Sequence, residues 1–253
     1  MGTCIVNAVA AAEDLKLVGC FDSHCAGQVV SCANGDFACS DDLGALIDAT
    51  GADVVVDFTQ PGAVLANVEC VLSHGAHAVV GTTGVARQDM EALVLKYADK
   101  GGKLFFAPNF TTGAVLMMQF AKVAGKFFPD VEIVEMHHDG KKDAPSGTAV
   151  TTAHMIAEGR GGVRNAGPGS ETEIAGCEGA RGAEVDGVRI HAIRGDGYMA
   201  SQEVIMSAAG QTLTIRHDST LREAYMPGVL LAIRNVASLP EPFTVGLECL
   251  MGL

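Results

Sequence analysis

The sequence predicts an α/β protein in two parts: a doubly wound, mainly parallel sheet, and a second α+β region with an open sheet. Three observations carry this. Short apolar runs alternate with helical stretches as far as Ala107, the pattern of parallel strands joined by right-handed crossover helices. Later runs at Val188–Ala192, Gln202–Ser207 and Gln211–His217, separated by glycine turns, read as antiparallel strands. Between these regions, Glu135 to Ala149 is a strand-to-helix stretch crowded with histidine, lysine and carboxylate residues.

Gly2 to Ala12 reads as an amphipathic helix with Ile5, Val6 and Val9 inward. It leads to a strand from Leu15 to Phe21, ending at Asp22. Further strands are predicted at Val54–Phe58, Ala76–Val80 and Lys103–Ala107, preceded by helices at Asp41–Ala49, Gly62–Ser73 and Arg87–Ala98. In such a sheet a ligand is expected at the strand carboxyl ends. Those ends carry Asp57-Phe58-Thr59, Gly81-Thr82-Thr83-Gly84 and Ala107-Pro108-Asn109-Phe110. A long apolar helix runs from Thr111 to Phe127, with methionines as core filler, and Pro129 ends it. The domain change falls near here. A strand at Val131–Val134 enters the polar stretch, and a helix with Ser146 as its N-cap leaves it. Gly159 to Gly187 is glycine-rich without regular pattern. A last helix spans Ala224–Val236 and a last strand Phe243–Leu247.

Composition excludes several function classes. A chain of 253 residues with 48% hydrophobic content builds one large or two modest domains. A formal charge of −13 argues against nucleic acid and acidic membranes as partners. The 8 cysteines form no C-x-x-C pair and match no zinc module, so they read as reduced thiols of a cytoplasmic protein with no metal. No apolar run is long enough to span a membrane. The alanine-rich start lacks a basic region ahead of its apolar part and is followed by an acidic pair, so it is not a signal peptide; Val6 also breaks the myristoylation pattern.

The polar stretch has a definite chemistry. Ser146, Gly147 and Thr148 open a helix whose free N–H groups and positive dipole end suit an anion, and Gly147 allows close approach. Lys141 and Lys142 add positive charge, His138 adds a donor, and His137 titrates near neutrality and so can supply or accept a proton. An isolated His-His pair reads as solvated loop. The whole constellation around one N-cap reads instead as a site where an anionic substrate receives a proton.

Glu135-x-His-His-x-x-Lys-x-Asp-Ala-Pro-Ser-Gly-Thr-Ala149 resembles the signature of the dihydrodipicolinate reductase family, also called 4-hydroxy-tetrahydrodipicolinate reductases. The three strand-end motifs above and the closing run from Thr212 to Gly246 match in order, so the resemblance covers nearly the whole chain. It implies a Rossmann-like dinucleotide domain formed by residues 1–109 and 219–253, and a substrate-binding and oligomerisation domain at 110–218 with an open mixed sheet. It implies NAD(P)H-dependent reduction of a cyclic dicarboxylate imine with loss of water, a step in diaminopimelate and lysine biosynthesis, by a cytoplasmic homotetramer. By motif position, His137 is the proton donor or acceptor and Lys141 the proton donor; His138, Gly147 and Thr148 hold the substrate carboxylates. Asp22 bonds the adenosine ribose; Gly81, Thr82, Thr83, Ala107, Pro108, Asn109 and Phe110 line the nicotinamide half, and Asp57-Phe58-Thr59 shapes the crevice. Ser23 and His24 follow Asp22 with no arginine for a 2′-phosphate, which favours NADH over NADPH. Arg194 reads as a structural ion-pair partner more than a substrate contact.

The family's first strand and G-x-x-G-x-[MV]-G loop match this chain only at Met1-Gly2, so a dozen or so upstream residues are expected from the family pattern. Two rivals remain beside this reading. One is a dehydrogenase of similar build acting on an amino or sugar acid, against which the Glu135–Ala149 loop argues. The other is a cofactor-impaired or non-catalytic relative lacking that glycine loop.

Overall fold

The computed structural model of the chain describes residues 1–162, 174–177 and 179–253. It divides into two compact units, Met1–Thr112 with Tyr225–Leu253, and Gly113–Ala224.

In the first unit, α1 (Gly2–Ala11) buries Ile5, Val9 and Ala10, while Val6 is only half-buried. The strand expected over Leu15–Phe21 shrinks to β1 (Cys20–Phe21), because only these two residues find ladder partners, in parallel with Cys39 and Ser40. β2 (Val29–Cys32) and β3 (Gly35–Ser40) form a hairpin absent from the sequence reading. Its signal is Asn34-Gly35 at the turn, where Gly35 takes φ +119°. These strands make a separate sheet, order β1-β3-β2.

The crossover units follow. α2 (Leu43–Thr50) starts where the Asp42 carboxylate accepts from the Ala45 N–H at 2.9 Å. β4 (Val54–Asp57), α3 (Pro61–Ser73), β5 (His77–Val80), α4 (Arg87–Lys96) and β6 (Leu104–Phe106) alternate as predicted. Helix and strand side chains meet in one core in which Val64, Leu72, Val80, Met90 and Leu104 are essentially fully buried. Each such side chain contributes about 1.5–3 kcal/mol through burial.

In the second unit, α5 (Thr112–Ala124) stops at Gly125, a poor helix former, rather than reaching Phe127. β7 (Asp130–His137) runs three residues beyond the predicted end, so Glu135, Met136 and His137 lie on the strand and not on the loop. α6 (Gly147–Arg160) begins behind Ser146, whose Oγ accepts from the Ala149 N–H at 3.2 Å. The glycine-rich stretch lies partly outside the described residues, but its end forms β8 (Ala183–Val185), which turns through Asp186-Gly187 into β9 (Val188–Arg194). β10 (Ala200–Ala208) and β11 (Gln211–Ser219) form a hairpin.

The sheet order is β11-β10-β7-β9-β8. This corrects the expected antiparallel run: β9 is not a neighbour of β10 but pairs in parallel with β7, which lies between them. The link after β9 passes the carboxyl end of β7, where the Gly195 N–H donates to the His137 carbonyl at 3.0 Å.

The chain then re-enters the first unit with α7 (Met226–Asn235), β12 (Phe243–Val245) and α8 (Glu248–Met251). The predicted strand to Leu247 ends early because Gly246, at φ +94°, turns the backbone into α8. β12 joins β6 to complete a four-stranded, all-parallel sheet, order β12-β6-β5-β4. The α/β class holds, with a Rossmann-like parallel sheet in one unit and a mixed sheet in the other.

α7 packs closely enough that a Cβ at Gly228 would collide with the Phe110 carbonyl and Leu247. Gly228→Ala should lower the unfolding free energy by about 1–3 kcal/mol, read from urea denaturation.

Candidate active site

Two places carry the predicted site residues. The first is the carboxyl edge of the parallel sheet, where β4, β5 and β6 end in register: the Gly81 N–H donates to the Asp57 carbonyl, and the Ala107 N–H to the Val80 carbonyl. Asp57 is buried and gathers the neighbouring turns. Its carboxylate accepts from the Thr59 N–H (3.0 Å), the Thr59 hydroxyl (2.9 Å), the Thr82 hydroxyl (2.7 Å) and Asn67 Nδ2 (2.8 Å). Thr82 is buried and spends its proton on Asp57, whereas Thr83 is exposed. Gly81 cannot carry a side chain, since a Cβ there would strike the Phe58 ring.

Phe110 is buried, with its ring 5.3 Å from Phe58 and 6.0 Å from Phe105. Ala107 is buried too, whereas Pro108 between them is exposed. Asn109 Oδ1 accepts from the Thr111 N–H at 2.8 Å. Asp22, just past β1, has a half-exposed carboxylate that accepts from the His24 N–H at 2.9 Å.

The second place is the carboxyl end of β7 and the start of α6. Alternation along β7 puts Val131, Ile133 and Glu135 on the buried face. Glu135 has no solvent exposure, yet both its oxygens are satisfied. Arg194, at the end of β9, reaches them with Nη1 to Oε2 (2.9 Å) and Nη2 to Oε1 (2.8 Å). His137 Nδ1 lies 2.5 Å from Oε2, and the Ser146 N–H donates to Oε1 at 3.1 Å. Burial alone would raise the Glu135 carboxyl; the Arg194 guanidinium and then His137 outweigh it and hold the group below the usual carboxylate range. For His137 burial also comes first, and it lowers the imidazole; Glu135 pulls the other way, and Lys141 and Arg194 reinforce the fall.

The loop residues surround this pair. Lys141 Nζ donates to both Asp143 oxygens, at 2.7 and 2.8 Å, and this partner holds the Asp143 carboxyl low. His138 and Lys142 are exposed. Gly147 is exposed, with open space where a side chain would stand. The Thr148 carbonyl accepts from the Thr152 hydroxyl (2.7 Å), which in turn accepts from buried Gln202 (2.8 Å). So His137, Ser146 and the helix start are joined through one carboxylate, while His138 and Lys142 stand in solvent. The roles of Glu135 and Gln202 escaped the sequence reading. Their signal was period two: each is a polar residue on the apolar face of a strand. Among the described residues no group of three His, Cys, Asp or Glu is placed to hold a metal.

Family models described as dihydrodipicolinate reductase, N-terminus and C-terminus, match residues 1–110 and 113–251. The chain is 46% identical over 252 residues to a 4-hydroxy-tetrahydrodipicolinate reductase of Listeria welshimeri, covering 98% of this chain and 94% of that one. It is 52% identical over 204 residues to the enzyme of that name from Thermobifida fusca, covering 79% and 82%. Among solved structures, a dipicolinate-bound dihydrodipicolinate reductase from Paenisporosarcina sp. TG-14 is 38% identical with a TM-score of 0.84, covering 98% and 94%. An amine dehydrogenase from Mycobacterium smegmatis, 12% identical with a TM-score of 0.59 and covering 95% and 91%, shares the fold alone.

Removing the guanidinium would strand a buried charge. Arg194→Met should cost about 3–5 kcal/mol at neutral pH, measured by urea denaturation. The loss should shrink in acid. Glu135 titrates below its ordinary range, so the stability it contributes is present above that range and disappears as pH falls through its folded value.

Proposed function

This chain belongs to the dihydrodipicolinate reductase family, and from that membership we propose how its residues perform the family's reaction. The activity is NAD(P)H-dependent reduction of 4-hydroxy-tetrahydrodipicolinate to tetrahydrodipicolinate, in diaminopimelate and lysine biosynthesis. The observation that carries the reading is the joining of His137 to the N-cap of α6 through buried Glu135: a proton-bearing group and an anion-binding helix end fixed side by side.

Gly147 and Thr148 open α6 and turn the positive end of its dipole toward a substrate carboxylate, and His138 adds an exposed donor. Loss of the 4-hydroxyl as water leaves an α,β-unsaturated imine, and hydride addition to it builds negative charge toward the ring nitrogen. His137 and Lys141 neutralise it by proton transfer; Lys141 has a third N–H beyond the two bound to Asp143. When bound, the reduced nicotinamide supplies the hydride.

The dinucleotide is assigned to the carboxyl edge of the parallel sheet, with Asp22 on the adenosine ribose and Gly81, Thr82, Thr83, Ala107, Pro108, Asn109 and Phe110 along the nicotinamide half. Supporting this, the three turns converge there, and the Asp22 carboxylate is half-exposed with one oxygen beyond its bond to His24. That same negative charge would repel a 2′-phosphate, which favours NADH. We assign the protein to the cytoplasm; no helix among the described residues is long and apolar enough to cross a membrane. The open sheet of the second unit, with Ile193 and Leu213 exposed on its strands, is the surface through which a homotetramer would assemble.

His137→Gln should cut kcat by about 100-fold or more while changing KM much less, followed as NADH oxidation with freshly made substrate. Near-normal turnover would remove His137 from catalysis. In the same assay kcat/KM should be higher with NADH than with NADPH, and Asp22→Ala should narrow that difference; a wild-type preference for NADPH would overturn the ribose assignment.

A further inference from the structure

The two oxygens of Glu135 have different partners. Oε2 faces His137 Nδ1 at 2.5 Å, and Oε1 accepts the N–H of Ser146, the residue that caps α6. Arg194 bridges both oxygens, and its Nη2 also donates to the Asp143 carbonyl at 2.8 Å. An ionised carboxylate can only accept, so the proton in the short bond to His137 sits on Nδ1. The neutral ring then carries its lone pair on Nε2, and that is the atom left to take or give a proton.

We propose that Glu135 and Arg194 are positioning residues for the reduction: Glu135 holds His137 as the Nδ1–H tautomer with Nε2 as the proton-exchanging atom, and Arg194 locks that carboxylate and the loop from Asp143 to Ser146 in register. The proposal rests on the role given to His137 above and assigns residues that never touch the substrate. A plain structural ion pair would stabilise the fold without governing which ring nitrogen is protonated. Here the same carboxyl group meets the histidine directly, at the shortest hydrogen bond in the cluster. Carboxylates that orient a metal-ligating histidine in this way change activity by about 10–100-fold when removed, and a loss of that order is expected for a proton-exchanging one.

The pH dependence has a fixed sign. Charged groups facing His137 are Glu135 on its own strand, Arg194 from β9, and Lys141 and Asp143 from the loop. Glu135 and Asp143 both favour the imidazolium, and of the two Glu135 shares a hydrogen bond with it. In Glu135→Gln the imidazolium loses that anion while Arg194 and Lys141 remain, so protonation of His137 requires a lower pH. The limb of the pH–kcat profile that belongs to His137 moves to acid whether the ring serves as acid or base.

The first experiment is nitrogen-15 NMR of the imidazole in the wild-type chain. A protonated Nδ1 with bare Nε2 supports the proposal; a protonated Nε2 with bare Nδ1 overturns it. This reading needs no turnover, so it stands apart from the substrate assay, and it holds even if the variant does not fold. In folded Glu135→Gln, loss of the Nδ1–H preference, an acid-shifted limb and a kcat lower by about 10–100-fold are expected. An unchanged tautomer and an unmoved limb would overturn the assignment.

Discussion

A carboxylate with no access to water and a guanidinium that spans both its oxygens set the geometry of the second unit. Left alone, the Glu135 charge would be driven out of the interior or neutralised. Paired with Arg194, it stays ionised and draws in the ends of β7 and β9 and the first residue of the α6 cap. A buried ion pair seldom adds much net stability over apolar packing. What this one adds is position: the strand end that carries His137, the loop that carries Lys141 and the helix start capped by Ser146 are tied to one point.

The first unit solves a similar problem with neutral donors. Asp57 is buried at the end of β4 and collects Thr59, Asn67 and Thr82, so two adjacent turns are held by one acidic group without a cation. Phe58 then covers Gly81, where a Cβ would strike its ring, and meets Phe110 at a tilt with centroids 5.3 Å apart. The turns at this sheet edge therefore owe their shape to buried side chains. In both units a polar residue within an apolar strand organises the neighbouring loops.

Much of this was legible in the amino-acid order. Alternation of apolar runs and helical stretches placed β4, β5, β6 and the helices between them, because local periodicity and burial agree there. The stretch from Glu135 to Ala149 announced itself by composition and by its N-cap. The failures have physical causes. The hairpin of β2 and β3 is short and mostly exposed, so it lacks the apolar signature that marks a strand, and only Asn34-Gly35 hinted at it. The placement of β7 between β9 and β10 depends on contacts distant in sequence, which periodicity does not encode. The sequence alone ends β7 at Val134, because Glu135 reads as the start of a polar stretch; a charged residue on a buried face is legible only once its partner, Arg194, is known.

The return of the chain to its first unit has a consequence for biogenesis. β6 borders β5 on one side and β12 on the other, and β12 is translated only after the entire second unit. Until then the nascent sheet emerges from the ribosome with the far flank of β6 bare, its amides and carbonyls open to any passing strand. The inserted unit, contiguous in the chain, can fold while its host waits. The host therefore closes only once β12 has been made, and a nascent chain halted before Phe243 would be a natural client for chaperones.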